Sequence, residues 1–171
     1  MKRVMVDIET HGLEPGAAIV SIGAVEFGPD GLGREFVGDI DMESCQEAGF
    51  EIDASTVKWW LDQDENAQEQ LLGGEDLATV LAGFDAWYDA EEIWANSPSF
   101  DCEHLERAYA AVGLEEPWGF RDERCFRTIR SLGVDARVSR DGTEHDALDD
   151  ARYQAAVASD ILYQLEVDDG E

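Results

Sequence analysis

The stretch Arg3-Val-Met-Val-Asp7-Ile-Glu9-Thr10 decides how this 171-residue chain folds. Residues 3–8 are rich in valine and bounded by charge, which reads as a buried strand. Side chains two apart on a strand point to the same face, so Asp7 and Glu9 project side by side. Two ionised carboxylates at that spacing repel unless a cation sits between them. A polar strand end facing solvent accounts for the same pair, so this motif alone does not decide between them.

Working outward, residues 11–16 form a turn and residues 18–27 read as a second strand. Gly28-Pro-Asp-Gly-Leu-Gly33 joins it to a third strand around 34–40. Two hairpin-like links in succession imply three antiparallel strands. At Asp53 a cap residue opens a helix through Val57-Lys-Trp-Trp-Leu61. A second helix covers 76–88, with Leu77, Leu81, Phe84 and Tyr88 at helical spacing. Residues 92–96 read as a short strand, 100–112 as a helix and 125–132 as a short helix. The stretch 134–144 is expected to be a mobile, polar loop. The final helix, 146–166, carries a stripe of Leu148, Ala151, Ala155, Ala158, Leu162 and Leu165 for packing on a sheet. Residues 167–171 are expected to fray. No repeat or linker divides the chain, so the expectation is one α/β domain over residues 1–171 around a central mixed sheet. Sites in such sheets form at strand ends.

Composition sets the conditions. Hydrophobic residues make up 44% of the chain and include five Trp, enough for a substantial core. No apolar run approaches the roughly 20 residues needed to span a bilayer. The N-terminus lacks the long apolar stretch of a signal peptide, so a soluble, cytoplasmic protein with no membrane partner is expected. Cys45, Cys102 and Cys125 are far apart and odd in number, which indicates reduced thiols rather than a zinc knuckle or disulfide framework. The net charge is −28, with two lysines and ten arginines against 40 acids. Such a surface suits a salty cytoplasm, where the Debye length falls to about 3 Å at 1 M salt. A GC-rich genome also explains the preference for Arg over Lys. Neither reading bears on the fold.

Two further motifs join the first. Asn96-Ser-Pro-Ser-Phe-Asp101 follows the short strand, and His145-Asp-Ala-Leu-Asp-Asp150 opens the last helix. Each has a plain explanation: Ser97, Ser99 and Asp101 are good helix caps, and acids favour the first turn of a helix. His104, alone in a helix, reads as structural or solvent-exposed. If His145 is helical, Asp149 shares its face; if it stays in the loop, its side chain is free to meet Asp150. Spacing leaves both open. Carboxylates gathered from distant segments are costly to hold together without cations, which points to a hard divalent metal. A histidine beside them can move a proton near neutral pH. Together they suggest metal-assisted phosphodiester hydrolysis.

The ordered set Asp7-Ile-Glu9, Asn96-Ser-Pro-Ser-Phe-Asp101 and His145-Asp-Ala147-Leu-Asp-Asp150 resembles the three motifs of the DnaQ-like superfamily, the DEDDh 3′→5′ exonucleases. Thr10-His-Gly-Leu13 extends the first motif close to that family's pattern. Trp59-Trp60 and the form of the third motif are similar to the small phage and bacterial branch, which includes the exonuclease A and mycobacterial exoribonuclease types. The resemblance spans residues 4 to about 160. It implies an RNase H-like three-layer fold, with a central mixed five-stranded sheet in the order 3-2-1-4-5 flanked by helices. A fifth strand is not evident from the residues themselves.

The resemblance also implies two Mg²⁺ or Mn²⁺ ions per active site. Asp7 would bridge both, Glu9 and Asp150 would complete one site, and Asp101 would hold the second. His145 would act as general base, which selects Asp150 over Asp149. Thr10 and Leu13 would hold the terminal nucleotide, with Phe100 packing nearby. Of Trp59 and Trp60, at least one is expected in the core and either could stack on a base. His11 replaces a residue often small or hydroxylic in the family, which would alter the nucleotide pocket. Apart from the resemblance, Arg137 and Arg140, just before His145, are candidates for phosphate contacts in a mobile loop, with plain surface solvation the equal alternative. The implied activity is release of nucleoside monophosphates from the 3′ end of single-stranded RNA or DNA. Related enzymes often work as homodimers. Two alternatives stay open: a catalytically idle module of the same fold, and an enzyme specialised for very short oligonucleotides.

Overall fold

The computed structural model describes residues 1–63, 65–133 and 136–168. Five strands form one sheet in the order β3-β2-β1-β4-β5. They are β1 (Arg3–Thr10), β2 (Ile19–Gly28), β3 (Gly31–Asp39), β4 (Glu92–Ala95) and β5 (Glu123–Cys125). The β1–β2 and β2–β3 pairs are antiparallel, whereas β1–β4 and β4–β5 are parallel. The helices are α1 (Met42–Glu47), α2 (Ala54–Leu61), α3 (Glu65–Glu69), α4 (Leu77–Trp87), α5 (Asp101–Ala111), α6 (Phe126–Arg130) and α7 (Ala147–Asp168). The fold is thus the RNase H-like arrangement that the motifs imply.

The alternation of β1 divides the core in two. Val4, Val6 and Ile8 face a cluster with Leu77, Val80, Leu81 and Phe84 of α4 and Leu105, Ala108 and Tyr109 of α5. Met5 faces the other way, into a cluster with Val25, Phe27, Trp94, Phe126, Ile129 and the inner side of α7. Asp7 and Glu9 continue the Met5 face, so they point toward α7.

Gly23 lets α7 come close. It stands opposite Asp7 in the β1–β2 register. A Cβ there would lie 2.2 Å from the Ala147 carbonyl carbon and the Leu148 nitrogen. Only a glycine admits the first turn of α7 onto the sheet at that point, and that turn carries Asp150.

Several details differ from the sequence reading. β3 begins at Gly31, because Gly28 and Gly31 pair directly across Pro29-Asp30 and close a tight hairpin. The fifth strand is Glu123–Cys125, three residues that lack the length to reveal themselves by alternation. Two short helices, α1 and α3, went unrecognised; α1 is opened by Asp41, whose carboxylate accepts from Ser44 N. The fully buried stripe of α7 runs through Ala147, Ala151, Ala155, Ala158 and Ile161; Leu162 and Leu165 of the expected stripe pack half-buried against the same cluster, and Leu148 does not join it. Residues 136–146 form no helix or strand, and residues 134–135 of the expected mobile loop lie outside the described residues. Val167 and Asp168 continue α7, while the rest of the expected frayed tail, 169–171, also lies outside them. Among the described residues no helix is long and apolar enough to cross a membrane, and all three cysteines are free thiols.

Candidate active site

The site begins where two parallel strands separate. Pairing of β1 with β4 ends at Val6 and Ala95, and the chain beyond each strand carries a motif. A register shift at Glu9/Thr10 disturbs the β1–β2 ladder just where Glu9 emerges, a device that re-aims a side chain at a sheet end. Beyond β4, Asp101 N donates to Ser97 O at 3.0 Å. The Asp101 carboxylate turns back to accept from Ser97 N at 3.2 Å, and the Ile8 backbone N–H, freed from strand pairing, also faces it. Asp101 is therefore the first residue of α5 and not its cap; Phe100 occupies the cap position without a side-chain bond.

His145 stays out of the helix. Its φ is +64°, a left-handed conformation that a non-glycine residue adopts only when its surroundings hold it there. Asp146 provides the cap, accepting from Asp149 N at 2.9 Å, so α7 starts after His145. The Gln70 Nε2 donates to the His145 carbonyl at 2.7 Å, and the Gln70 Oε1 accepts from the Ser21 hydroxyl at 3.0 Å. Ser21 pairs with Glu9 in the sheet, so this chain of bonds ties the histidine's backbone to the strand bearing Glu9. On the other side, the Trp59 ring meets the His145 ring edge-on, with centroids 4.7 Å apart.

The loop conformation settles which acid His145 meets. Ligand atoms of Glu9, His145 and Asp150 lie within 4.8 Å of one another. Asp149 points elsewhere: its carboxylate accepts from Arg152 Nη1 at 2.8 Å and from Thr143 N at 3.0 Å, bracing the loop.

Asp7 and Asp101 form the deep part of the site, only 9% and 4% exposed. Burial, then the charges of Asp101 and Glu9, hold the Asp7 carboxyl well above the usual range. Burial and the Asp150 and Asp101 charges push Glu9 up to about 8. Burial raises Asp101 to about 7 against the opposing N–H groups of Ser97 and Ile8, and burial also raises Asp150. Four carboxyls held up by burial, with Asp7 and Glu9 raised further by their neighbours' charges, form a set of hard oxygen donors whose ionisation a divalent cation would restore. They fit the metal the motifs imply. The guanidinium of Arg140 donates to Asp150 Oδ1 and lies over the Tyr153 ring, 5.2 Å from its centroid.

One buried partner went unrecognised in the sequence. Gln154 Nε2 donates to Asp7 Oδ1 at 2.7 Å, and Gln154 is 8% exposed on the face of α7 that packs on the sheet. Its signal was a lone amide one turn beyond Asp150, on the stripe side of the final helix. Gln70 had no comparable signal, since its role depends on a loop conformation.

Beside the carboxylates lies a cleft of about 390 Å³, lined by Ile8, Glu9, Thr10, Leu13, Ser55, Thr56, Trp59 and Phe100. The structure brings Thr10, Leu13 and Phe100 together here. Leu13 stands 79% exposed at the rim, while the Thr10 hydroxyl donates to Gly12 O at 2.7 Å and shapes the turn. The two tryptophans divide as expected: Trp60 is fully buried and donates Nε1 to Thr10 O, and Trp59 borders the cleft. His11 is buried and does not line the cleft. Its burial depresses its pKa. His104 is structural, its Nδ1 bonded to Phe100 O at 2.8 Å. Arg140 departs from its expected role, because its ion pair with Asp150 directs it inward instead of toward a phosphate. Arg137 uses its backbone N–H to bond Asp160 Oδ2 at 3.0 Å.

Comparison with known proteins agrees with this fold. A family described as the 3′-5′ exoribonuclease Rv2179c-like domain matches residues 2–162. No curated protein matches the sequence. Among solved structures, the chain is similar to Escherichia coli exonuclease I in complex with single-stranded DNA, with a TM-score of 0.71 at 14% identity over 96% of this chain and 41% of that one. The chain thus spans about two fifths of exonuclease I. It is also similar to the nuclease domain of 3′hExo, a DEDDh family member bound to rAMP (TM-score 0.64, 14% identity, 95% of this chain and 92% of that one). Exonuclease X in complex with 5′ overhanging duplex DNA gives a TM-score of 0.58 at 14% identity, over 99% and 93% of the two chains. At such identities these likenesses speak to the fold, whereas the family match covers almost the whole sequence. The chain belongs to the Rv2179c-like 3′-5′ exoribonuclease domain family.

Proposed function

We propose that this protein is a divalent-cation-dependent 3′→5′ exonuclease that releases nucleoside monophosphates from single-stranded nucleic acid, with RNA as the preferred substrate. The observation that carries this reading is the convergence of Glu9, His145 and Asp150 within 4.8 Å beside the buried pair Asp7 and Asp101. Asp7, Glu9 and Asp150 would hold one Mg²⁺ or Mn²⁺ ion, and Asp7 with Asp101 a second. When bound, such ions stabilise the charge on the attacking and leaving oxygens of a phosphodiester.

The remaining work falls to the chain's own residues. The His145 ring takes a proton from the attacking water. Gln70 holds the His145 backbone carbonyl and Trp59 borders the ring. Gln154 fixes the Asp7 carboxylate from below. The cleft between Leu13, Phe100 and Trp59 accepts the terminal base, with apolar side chains that favour no particular base. The family description favours RNA, and a net charge of −28 disfavours long duplexes and favours short single strands.

The test uses RNA and DNA oligonucleotides of two to twelve nucleotides, labelled at the 5′ end, with Mg²⁺ or Mn²⁺ in dilute and molar KCl. A ladder shortening from the 3′ end, with mononucleotide product, supports the reading. A folded protein that binds Mn²⁺ but releases no nucleotide from either polymer would make it an idle module of the same fold.

A further inference from the structure

We propose that Arg127 and Arg130, on α6, form a landing surface for the phosphates of the substrate strand on the 5′ side of the cleaved nucleotide. This rests on the exonuclease reading above and adds to it the path of the strand.

The sequence from 121 to 130 sets arginines three residues apart, at 121, 124, 127 and 130. A third of the chain's 12 basic residues therefore lie in one ten-residue stretch. Phe126 and Ile129 are buried against α7, which fixes the inner side of α6 and leaves Arg127 and Arg130 exposed. The first two arginines are engaged: Arg124 pairs with Glu92, and Arg121 lies over the Phe120 ring. Arg127 sits close to the site, and Arg130 follows it three residues on along α6. β5 runs parallel to β4 and ends with Cys125 opposite Ala95. α6 thus begins at the end of the sheet where β4 gives way to Asp101. Arg127 Nη2 donates to the Ser97 hydroxyl at 2.7 Å, and Ser97 N donates to the Asp101 carboxylate.

What these two arginines lack is equally informative. In this acidic chain Lys2, Arg3, Arg34, Arg124, Arg140 and Arg152 are all in ion pairs. Among the described residues Arg127 and Arg130 are in none, nor are Lys58, Arg107, Arg121 and Arg137, but of these six Arg127 is the one bonded to the segment that carries Asp101. Arg127 is held by a neutral hydroxyl and acts on the Asp101 carboxylate only at a distance, without a direct ion pair, so its fork of donors stays open to a phosphate. A strand whose 3′ base fills the Trp59 cleft must carry its remaining phosphates across a surface that otherwise repels them. Among the described residues α6 supplies two guanidinium groups without a direct carboxylate partner on that side of the sheet.

The test measures binding of a 5′-fluorescein-labelled 12-nucleotide single-stranded RNA by anisotropy, and turnover of the same RNA and of a dinucleotide lacking a 5′ phosphate. Arg127→Gln with Arg130→Gln should weaken 12-mer binding at least tenfold. It should also flatten the dependence of log affinity on log salt by about 1.4, or 0.7 for each lost phosphate contact. The loss of kcat/KM should be at least fivefold larger for the 12-mer than for the dinucleotide. Arg130→Gln alone, which leaves the Ser97 bond intact, should show a smaller loss of the same kind. Arg34→Gln, at the opposite end of the sheet, should bind as wild type does. Wild-type binding and an unchanged salt slope in the double variant would overturn the proposal. So would equal losses on both substrates, which would make Arg127 a support for Asp101 and nothing more. If wild type cleaves neither substrate yet binds the 12-mer through these arginines, the surface stands and the exonuclease reading falls. If wild type does not bind the 12-mer at all, the proposal falls.

Discussion

Replacing Glu9 by Gln should make the metal-free protein more stable while removing its ability to gain stability from metal. The Glu9 carboxyl has an ordinary value of 4.5 and is pushed to about 8 in the fold, by burial first and then by Asp150 and Asp101. Between those values the unfolded chain releases a proton that the folded chain retains. Stability of the metal-free protein therefore falls as pH rises from about 4.5 to about 8. At about 1.4 kcal/mol per pH unit, the penalty at pH 7 is about 3 kcal/mol. At pH 5 it shrinks to about 1 kcal/mol or less. Glu9→Gln has the same shape without the titrating group, so in EDTA at pH 7 it should be more stable by up to about 3 kcal/mol. For a chain of this size that raises Tm by about 6–12 °C. Mn²⁺ at a thousandfold excess over Kd should reverse the order, because wild type then gains about 4.1 kcal/mol, more than the penalty of about 3 kcal/mol, while the variant, short of one ligand charge, gains little. Thermal melts followed by circular dichroism, at pH 5 and 7, with EDTA or Mn²⁺, check all four values. A variant that melts below wild type in EDTA at pH 7, or a difference that does not shrink at pH 5, would refute the electrostatic reasoning.

Other perturbations separate positioning from packing. Gln70→Ala frees the His145 carbonyl and should lower kcat about ten- to a hundredfold with little change in KM, measured by steady-state cleavage of labelled RNA. Trp59→Ala should raise KM about fivefold or more through the lost base stack. Trp60→Ala should cost about 3–5 kcal/mol in urea unfolding, because that ring is fully buried. Gly23→Ala would drive a Cβ into the first turn of α7; a loss of about 3 kcal/mol and of cleavage together is expected, read by denaturation and activity on one preparation.

Much of the sheet was legible because its strands are long or end in distinctive residues. The valine-rich start of β1, the Pro29-Asp30 hairpin and the apolar β4 carry local signals that survive without tertiary context. β5 did not, because three half-buried residues at a sheet edge contain no alternation to read. The stripe of α7 differs at its start, where the close approach of Gly23 buries Ala147 instead of Leu148, while Leu162 and Leu165 pack half-buried beside Ile161. At the candidate site, Asp7 and Glu9 could be assigned to one face from period two alone. The choice between Asp149 and Asp150 could not, because it depends on the left-handed turn at His145 and the Asp146 cap. Gln70 and Gln154 are amides of ordinary appearance, and their positions follow only from bonds spanning 75 and 147 residues. Arg140 looked free in sequence and is drawn inward by an acid ten residues on.

The most direct test of the whole account is cleavage of 5′-labelled single-stranded RNA by wild type and by Asp7→Asn, both first shown to be folded, with Mn²⁺ and with EDTA. The account predicts a ladder shortening from the 3′ end for wild type with Mn²⁺, and intact RNA in the other three lanes. A ladder from Asp7→Asn equal to that of wild type, or one that persists in EDTA, would contradict it.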